Sequence, residues 1–201
     1  MFRICICTQC GKNVLVIGAE TLSKILDWND RGTCVLFGDG AGAAYLEESD
    51  KGIISVVQGS IGKKGMVLNC ESRRTHNIFT EAGIEHDYLH MDGQEVYKFA
   101  VRQCPKCLLE ALEKADMTAD DIDYFVLHQA NVRIIESVAK RLKAPIEKFP
   151  MTLGYTGNMS AASVPVMLDS LVRDGGLKRG DKVAMSAFGA GLTYGAIVLE
   201  W

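Results

Sequence analysis

Between Asp123 and His128 lie four apolar or aromatic residues, Tyr124-Phe-Val-Leu127, and this run constrains the fold more than any other stretch. It reads as a buried strand. His128 then stands at the strand's C-terminal end, where open α/β sheets place ligands and chemistry. A second segment, Tyr155-Thr-Gly-Asn158-Met-Ser160-Ala-Ala-Ser163, carries Asn158 just after a glycine that lets backbone come close. The two polar side chains could polarise one carbonyl oxygen, as an oxyanion hole does. Each has a plainer reading when taken singly. A histidine after a strand is more often a structural hydrogen-bonder, and Asn beside Gly is by default a turn residue.

The remaining segments alternate between strand and helix patterns. Strands are expected over residues 13–17, 34–37, 43–46, 53–58, 183–187 and 196–200. Helices are expected over 21–26, from about Gly93 to Ala115, and over 132–142 and 161–172. The helix beginning near Gly93 turns Val96, Phe99, Ala100, Leu108, Leu109 and Leu112 inward, with Pro105 expected to kink or interrupt it. The helix over 132–142 buries Ile135, Val138, Ala139 and Leu142, and Thr118-Ala-Asp-Asp121 is a turn or cap before the His128 strand. Gly38-Asp-Gly-Ala-Gly42 lacks the lysine and Ser/Thr of a phosphate-binding loop and misses the dinucleotide spacing. Close backbone packing explains it better. Residues 59–87 are polar and without periodicity, a long loop of the kind that is usually functional or mobile. The pattern as a whole is α/β with a mixed sheet.

Composition narrows the class. Hydrophobic residues make up 48% and charged residues 23% of the 201, near the average for folded domains. A net charge of −3 gives no footprint for broad nucleic-acid binding. No apolar run reaches the length of a membrane span. Residues 1–10 are mildly apolar but short for a signal peptide, and read as the tail of a helix. Seven cysteines, an odd number, with no secretory signal favour a reducing cytoplasm over a disulfide framework. Cys7/Cys10 and Cys104/Cys107 have the CxxC spacing of zinc or redox sites. The second pair falls in a helical pattern, where packing is the stronger reading, so no metal site is assigned.

Six blocks resemble, in order, the β-ketoacyl-acyl carrier protein synthase III family of thiolase-like condensing enzymes. They are Asp30-Arg-Gly-Thr33, Phe37-Gly-Asp-Gly-Ala-Gly-Ala-Ala44, Met91-Asp-Gly-Gln-Glu-Val-Tyr97, His128-Gln-Ala-Asn131, Gly157-Asn-Met-Ser-Ala-Ala-Ser-Val-Pro165 and Phe188-Gly-Ala-Gly191. The resemblance covers nearly the whole chain, from about Gly11 to Trp201. It implies a thiolase-like α/β fold in which residues 1–48 end an N-terminal half, 49–90 form a variable connecting and entrance region, and 91–201 form a C-terminal half of helices layered on a mixed sheet. The family's nucleophilic cysteine would fall before Met1 in this register, so no nucleophile is identified. Cys5, Cys7 and Cys10 lack the small-residue turn and clean helix start that lower a thiol pKa.

The function implied by the resemblance is condensation of a short acyl group from acyl-coenzyme A with malonyl-acyl carrier protein, with loss of carbon dioxide and without a cofactor. His128 and Asn158 match the pair that hydrogen-bonds the malonyl thioester carbonyl. Ala190 matches the backbone oxyanion position, where Ala for a common Gly is tolerated if its φ is negative. Arg31 matches a residue beside the adenine of coenzyme A, Asn131 and Gly93 positions along the pantetheine arm, and Met91 and Tyr97 acyl-pocket positions. Arg133, with Lys140, Arg141 and Lys143, is a candidate for facing the acidic carrier protein, against the plainer reading of a solvated helix face. Met159 and Tyr155-Thr156 depart from the family's usual residues around Asn158. A homodimer is expected in the cytoplasm, without nucleic acid or membrane partners. Two other readings stand beside the acyltransferase: a decarboxylase or binding module without acyl transfer, and a non-catalytic piece that complements a separate N-terminal half.

Overall fold

In a computed structural model, the described residues are 13–70 and 88–201. The segment with Cys5, Cys7 and Cys10 lies outside them, as do residues 71–87 of the long polar region. The central feature is a four-stranded mixed sheet in the order β3-β8-β7-β6. Its strands are β3 (Ile53–Ser60), β6 (Tyr124–Leu127), β7 (Lys182–Gly189) and β8 (Thr193–Glu200). The β7–β8 hairpin and the β3–β8 pair are antiparallel, whereas β6 runs parallel to β7.

The unbroken apolar run of β6 follows from its burial on both faces. Phe125 and Leu127 pack with helices α1 (Gly93–Lys114) and α2 (Val132–Leu142), in a core with Cys107, Leu108, Ile135 and Val138. Phe125 also stacks on Phe149, with ring centroids 4.7 Å apart. Val126 points the other way, to Met167 and Leu171 of helix α4 (Ser163–Arg173). A short helical turn, α3 (Leu153–Thr156), precedes α4. Beyond α4 lies a second, two-stranded sheet of β1 (Asn13–Glu20) and antiparallel β2 (Gly40–Glu47). The layers therefore run from α1 and α2, through the mixed sheet, to α4 and then the β1–β2 ribbon. Residues 53–60, within the stretch expected to connect the two halves, form an edge strand of the mixed sheet.

The glycine-rich run packs closely as expected, its last three residues, 40–42, inside β2. A Cβ on Gly42 would come within 3.0–3.1 Å of Pro165 and the Val166 amide, and one on Gly40 would meet Met159 Sδ at 2.3 Å.

Three expectations need correction. Residues 34–37 form no strand; 31–36 wind into turns. Asp30 directs this, since its carboxylate accepts from the Gly32 N–H at 2.8 Å and the Thr33 hydroxyl at 2.7 Å while its carbonyl accepts from the Cys34 N–H. Helix α1 continues through Pro105 without interruption, because Cys104, Cys107 and Leu108 anchor both sides of the proline in the core. Leu109 is 49% exposed rather than inward, being about 100° around the helix from Leu108. The polar region also holds some order where it is described: a 3-10 segment over Gly62–Val67, then β4 (Leu68–Asn69), which pairs with β5 (His90–Met91).

Candidate active site

His128 extends the β6–β7 ladder, its N–H donating to the Ser186 carbonyl at 2.8 Å. Next to it, Gln129 is fully buried and ties the strand end to the loop leading toward Asn158. Its side-chain amide donates to the Leu127 carbonyl at 2.9 Å, and its Oε1 accepts from the Thr152 N–H at 3.0 Å. The β6 and β7 strands are parallel, so the turn that follows β7, with Ala190, opens at the same end of the sheet as His128. Ala190 has no positive φ, which fits a backbone donor without a glycine.

Asn158 reaches this end from the other sheet's side. It forms a parallel bridge with Phe37. Its N–H donates to the Leu36 carbonyl and its carbonyl accepts from the Gly38 N–H, both at 2.9 Å. The clamp is tight enough that a Cβ on Gly38 would stand 2.3 Å from the Thr156 carbonyl oxygen. Gly157, at φ +66°, supplies the left-handed turn that swings the chain into the clamp. Asn158 Oδ1 accepts from the Ser160 N–H at 2.9 Å. That bond fixes the amide orientation and leaves the Nδ2 donors for the cavity. The departures beside Asn158 do not disturb this: Met159 is buried and Tyr155 is 75% exposed.

His128 and Asn158 line one cavity of about 300 Å³. Met91, Gly93, Tyr97, Asn131 and Ala190 line it too. A Cβ on Gly93 would meet only Met91 Cε, at 3.9 Å, so the cavity mouth is roomy there. Asn131 also caps α2, accepting from the Arg133 N–H at 2.8 Å. Arg31 is not brought to the cavity. It is exposed on the turn whose far end, Leu36 and Phe37, forms part of the wall. Arg133 is exposed on the first turn of α2.

Burial pushes the His128 pKa down to about 4, so the ring is neutral at physiological pH. Phe188 packs edge-to-face on it, centroids 5.2 Å apart. Nδ1 sits 2.6 Å from Ser163 Oγ. Among the described residues no buried side-chain nitrogen or oxygen lacks a partner. Nε2, which makes no hydrogen bond among the described residues, is therefore open to the cavity. Phe188 and Ser163 both lie inside motifs quoted from the sequence, but nothing in their spacing marks them as neighbours of His128. Cys70, absent from sequence reasoning about the site, also lines the cavity and is exposed. Among the described residues no group of three or more His, Cys, Asp or Glu could hold a metal ion.

Residues 112–201 match the family described as 3-oxoacyl-[acyl-carrier-protein (ACP)] synthase III C terminal, and residues 4–65 match 3-oxoacyl-[acyl-carrier-protein (ACP)] synthase III. The chain belongs to the synthase III family. A β-ketoacyl-[acyl-carrier-protein] synthase III of Clostridium novyi (strain NT) is 50% identical over 193 residues, covering 95% of this synthase III chain and 60% of the relative. The crystal structure of 3-oxoacyl-[acyl-carrier-protein] synthase III from Aquifex aeolicus VF5 superimposes with a TM-score of 0.89 at 40% identity, covering 98% of this chain and 60% of that one. The priming β-ketosynthase from the R1128 polyketide biosynthetic pathway is 38% identical, with a TM-score of 0.88 over 98% of this chain and 59% of that one. The fold is thus the thiolase-like one of the synthase III enzymes. This chain spans about 60% of the length of the relatives it matches.

Proposed function

We propose that the cavity holds the malonyl thioester of a synthase III condensation and stabilises the enolate formed when that thioester loses carbon dioxide. The observation that carries the reading is that Asn158 and a neutral His128 face one cavity together. Asn158 Nδ2 is aimed by the bond between Oδ1 and the Ser160 N–H, and His128 leaves Nε2 open. As the bond between the malonyl methylene and its carboxylate breaks, the electron pair moves into the thioester carbonyl and carbon dioxide leaves. The negative charge on that oxygen meets both donors, each worth ~3 kcal/mol of barrier. The resulting carbanion attacks the carbonyl carbon of an acyl thioester, the Ala190 N–H stabilises the tetrahedral oxyanion, and its collapse breaks the carbon–sulfur bond and releases the thiolate.

The substrates in this reading are a short acyl-coenzyme A and malonyl-acyl carrier protein. Met91 and Tyr97 shape the acyl end, Gly93 and Asn131 flank the pantetheine arm, Arg31 faces adenine outside the cavity, and Arg133 faces the carrier protein. Of the described residues, those up to 48 end one half of the fold, those from 91 to 201 form the other, and those between connect the two. The unbridged thiols of Cys34, Cys104 and Cys107 support a reducing, cytoplasmic setting, and a second copy of the chain is the expected partner. Cys104 and Cys107 are not acyl carriers, since burial pushes both thiols up, Cys104 to about 12.

Release of labelled carbon dioxide from a malonyl thioester tests the reading. The chain is expected to release it, and His128→Ala and Asn158→Ala are each expected to slow release roughly 10²-fold without loss of fold. Release that is unaffected by either substitution contradicts the proposal. Incubation with acetyl-coenzyme A, followed by mass mapping of every cysteine, separates the full condensing reaction from decarboxylation alone. A single acetylated cysteine marks an acyl carrier within this chain, and no adduct leaves decarboxylation as its own chemistry.

A further inference from the structure

A neutral imidazole carries one N–H, and which nitrogen holds it decides whether the cavity meets a donor or a lone pair at His128. Its Nδ1 touches one polar group, the Ser163 hydroxyl at 2.6 Å, on the fully buried first residue of α4. That hydroxyl has a single proton and two acceptors in reach: Nδ1, and the Ser160 carbonyl at 2.8 Å. If the proton goes to Ser160, Nδ1 must itself be the N–H and Nε2 presents a lone pair. If it goes to Nδ1, the ring proton sits on Nε2.

Two observations decide between them. The Ser160 carbonyl already accepts the Ser163 N–H that closes the 3-10 turn before α4, so it stays satisfied without the hydroxyl. The Gln129 N–H approaches the same Oγ at 3.4 Å, which gives that oxygen a donor of its own once its proton is turned to the ring.

We propose that Ser163 donates its hydroxyl proton to His128 Nδ1 and so holds the ring proton on Nε2, facing the cavity. Ser163 is then a positioning residue: it touches no substrate, but it sets His128 as a donor rather than an acceptor. The consequence for catalysis rests on the enolate reading above; the tautomer itself does not.

The experiment is ¹⁵N–¹H correlation through the imidazole rings of the ¹⁵N-histidine-labelled chain at neutral pH, without substrate. His128 is assigned by the signal that vanishes in His128→Gln. The neutral Nε2–H pattern is expected in the unsubstituted chain. Ser163→Ala is expected to shift the proton toward Nδ1, and Ser163→Thr, which keeps the hydroxyl, to restore the original pattern. Ser163→Cys, close in volume with a weak donor, is expected to shift in the same direction as alanine, and serves if the alanine chain does not fold. An Nδ1–H pattern in the unsubstituted chain, or a tautomer indifferent to loss of the hydroxyl, overturns the proposal. Because no turnover is needed, a chain that releases no carbon dioxide still tests it.

Discussion

His128 combines a hydrogen-bonding duty with burial that disfavours its charged form, and this couples the site to stability. Its folded pKa, about 4, lies below the 6.5 of an exposed histidine. Above pH 6.5 the ring is neutral folded or unfolded and contributes no pH dependence. As pH falls from 6.5 toward 4, the unfolded chain takes a proton that the folded chain refuses, so stability declines. Below about 4 both forms are charged and the loss levels off, at about 3 kcal/mol. Urea unfolding at pH 7 and pH 4.5 is expected to show this decline, and His128→Gln to flatten it. Cysteine chemistry gives a second residue-level prediction. Buried Cys104 and Cys107 are expected to resist alkylation in the native state, while partly exposed Cys34 reacts, as timed labelling and mass mapping would show. The clamp glycine gives a third. Gly38→Ala forces a Cβ against the Thr156 carbonyl and is expected to impair carbon dioxide release more than it lowers the melting temperature, because it displaces Asn158 directly.

Among the elements, helix ends carry identifiable loads. Asp92 caps α1, its carboxylate accepting from the Gln94 and Glu95 N–H groups at 3.1 and 3.0 Å. Asp92→Ala is expected to cost about 1 kcal/mol, a fall in Tm of roughly 2–4 °C for a chain of this size, read by thermal circular dichroism. Such local chemistry is what made much of the fold legible. The span of α2 and its inward residues follow from apolar periodicity, and the Thr118 turn is closed by the Asp121 carboxylate, as its composition suggests. The turn over 31–36 is hidden in the sequence because Val35, Leu36 and Phe37 look like strand residues, whereas the Asp30 side chain organises the local backbone into turns. The continuity of α1 through Pro105 was illegible because it depends on core contacts far away in sequence. His128 and Asn158 were legible through their motifs. Their geometry was not: Ser163 is 35 residues from His128 in sequence, and the clamp on Asn158 comes from residues more than a hundred positions earlier.

The whole molecule is asymmetric in what it covers. The inner face of the β1–β2 ribbon packs on α4, but its outer face presents Leu15 opposite Tyr45 and Ile17 opposite Ala43, the larger side chains 59–62% exposed. A contiguous apolar face of this kind drives association. The chain is expected to self-associate at micromolar concentration, and a double Leu15→Lys, Ile17→Lys substitution to reduce its mass in light scattering toward that of a monomer. A monodisperse monomer of the unsubstituted chain would count against this. The Phe37–Asn158 bridge has a consequence of its own. It is the seam along which the glycine-rich approach to one sheet is sewn to the loop that serves the other, so the Gly38 and Asn158 amides are protected only while both sheets are docked. In hydrogen exchange the two amides should open together, as one cooperative unit. Their shared rate would measure how often the protein forgets its donor pair without unfolding.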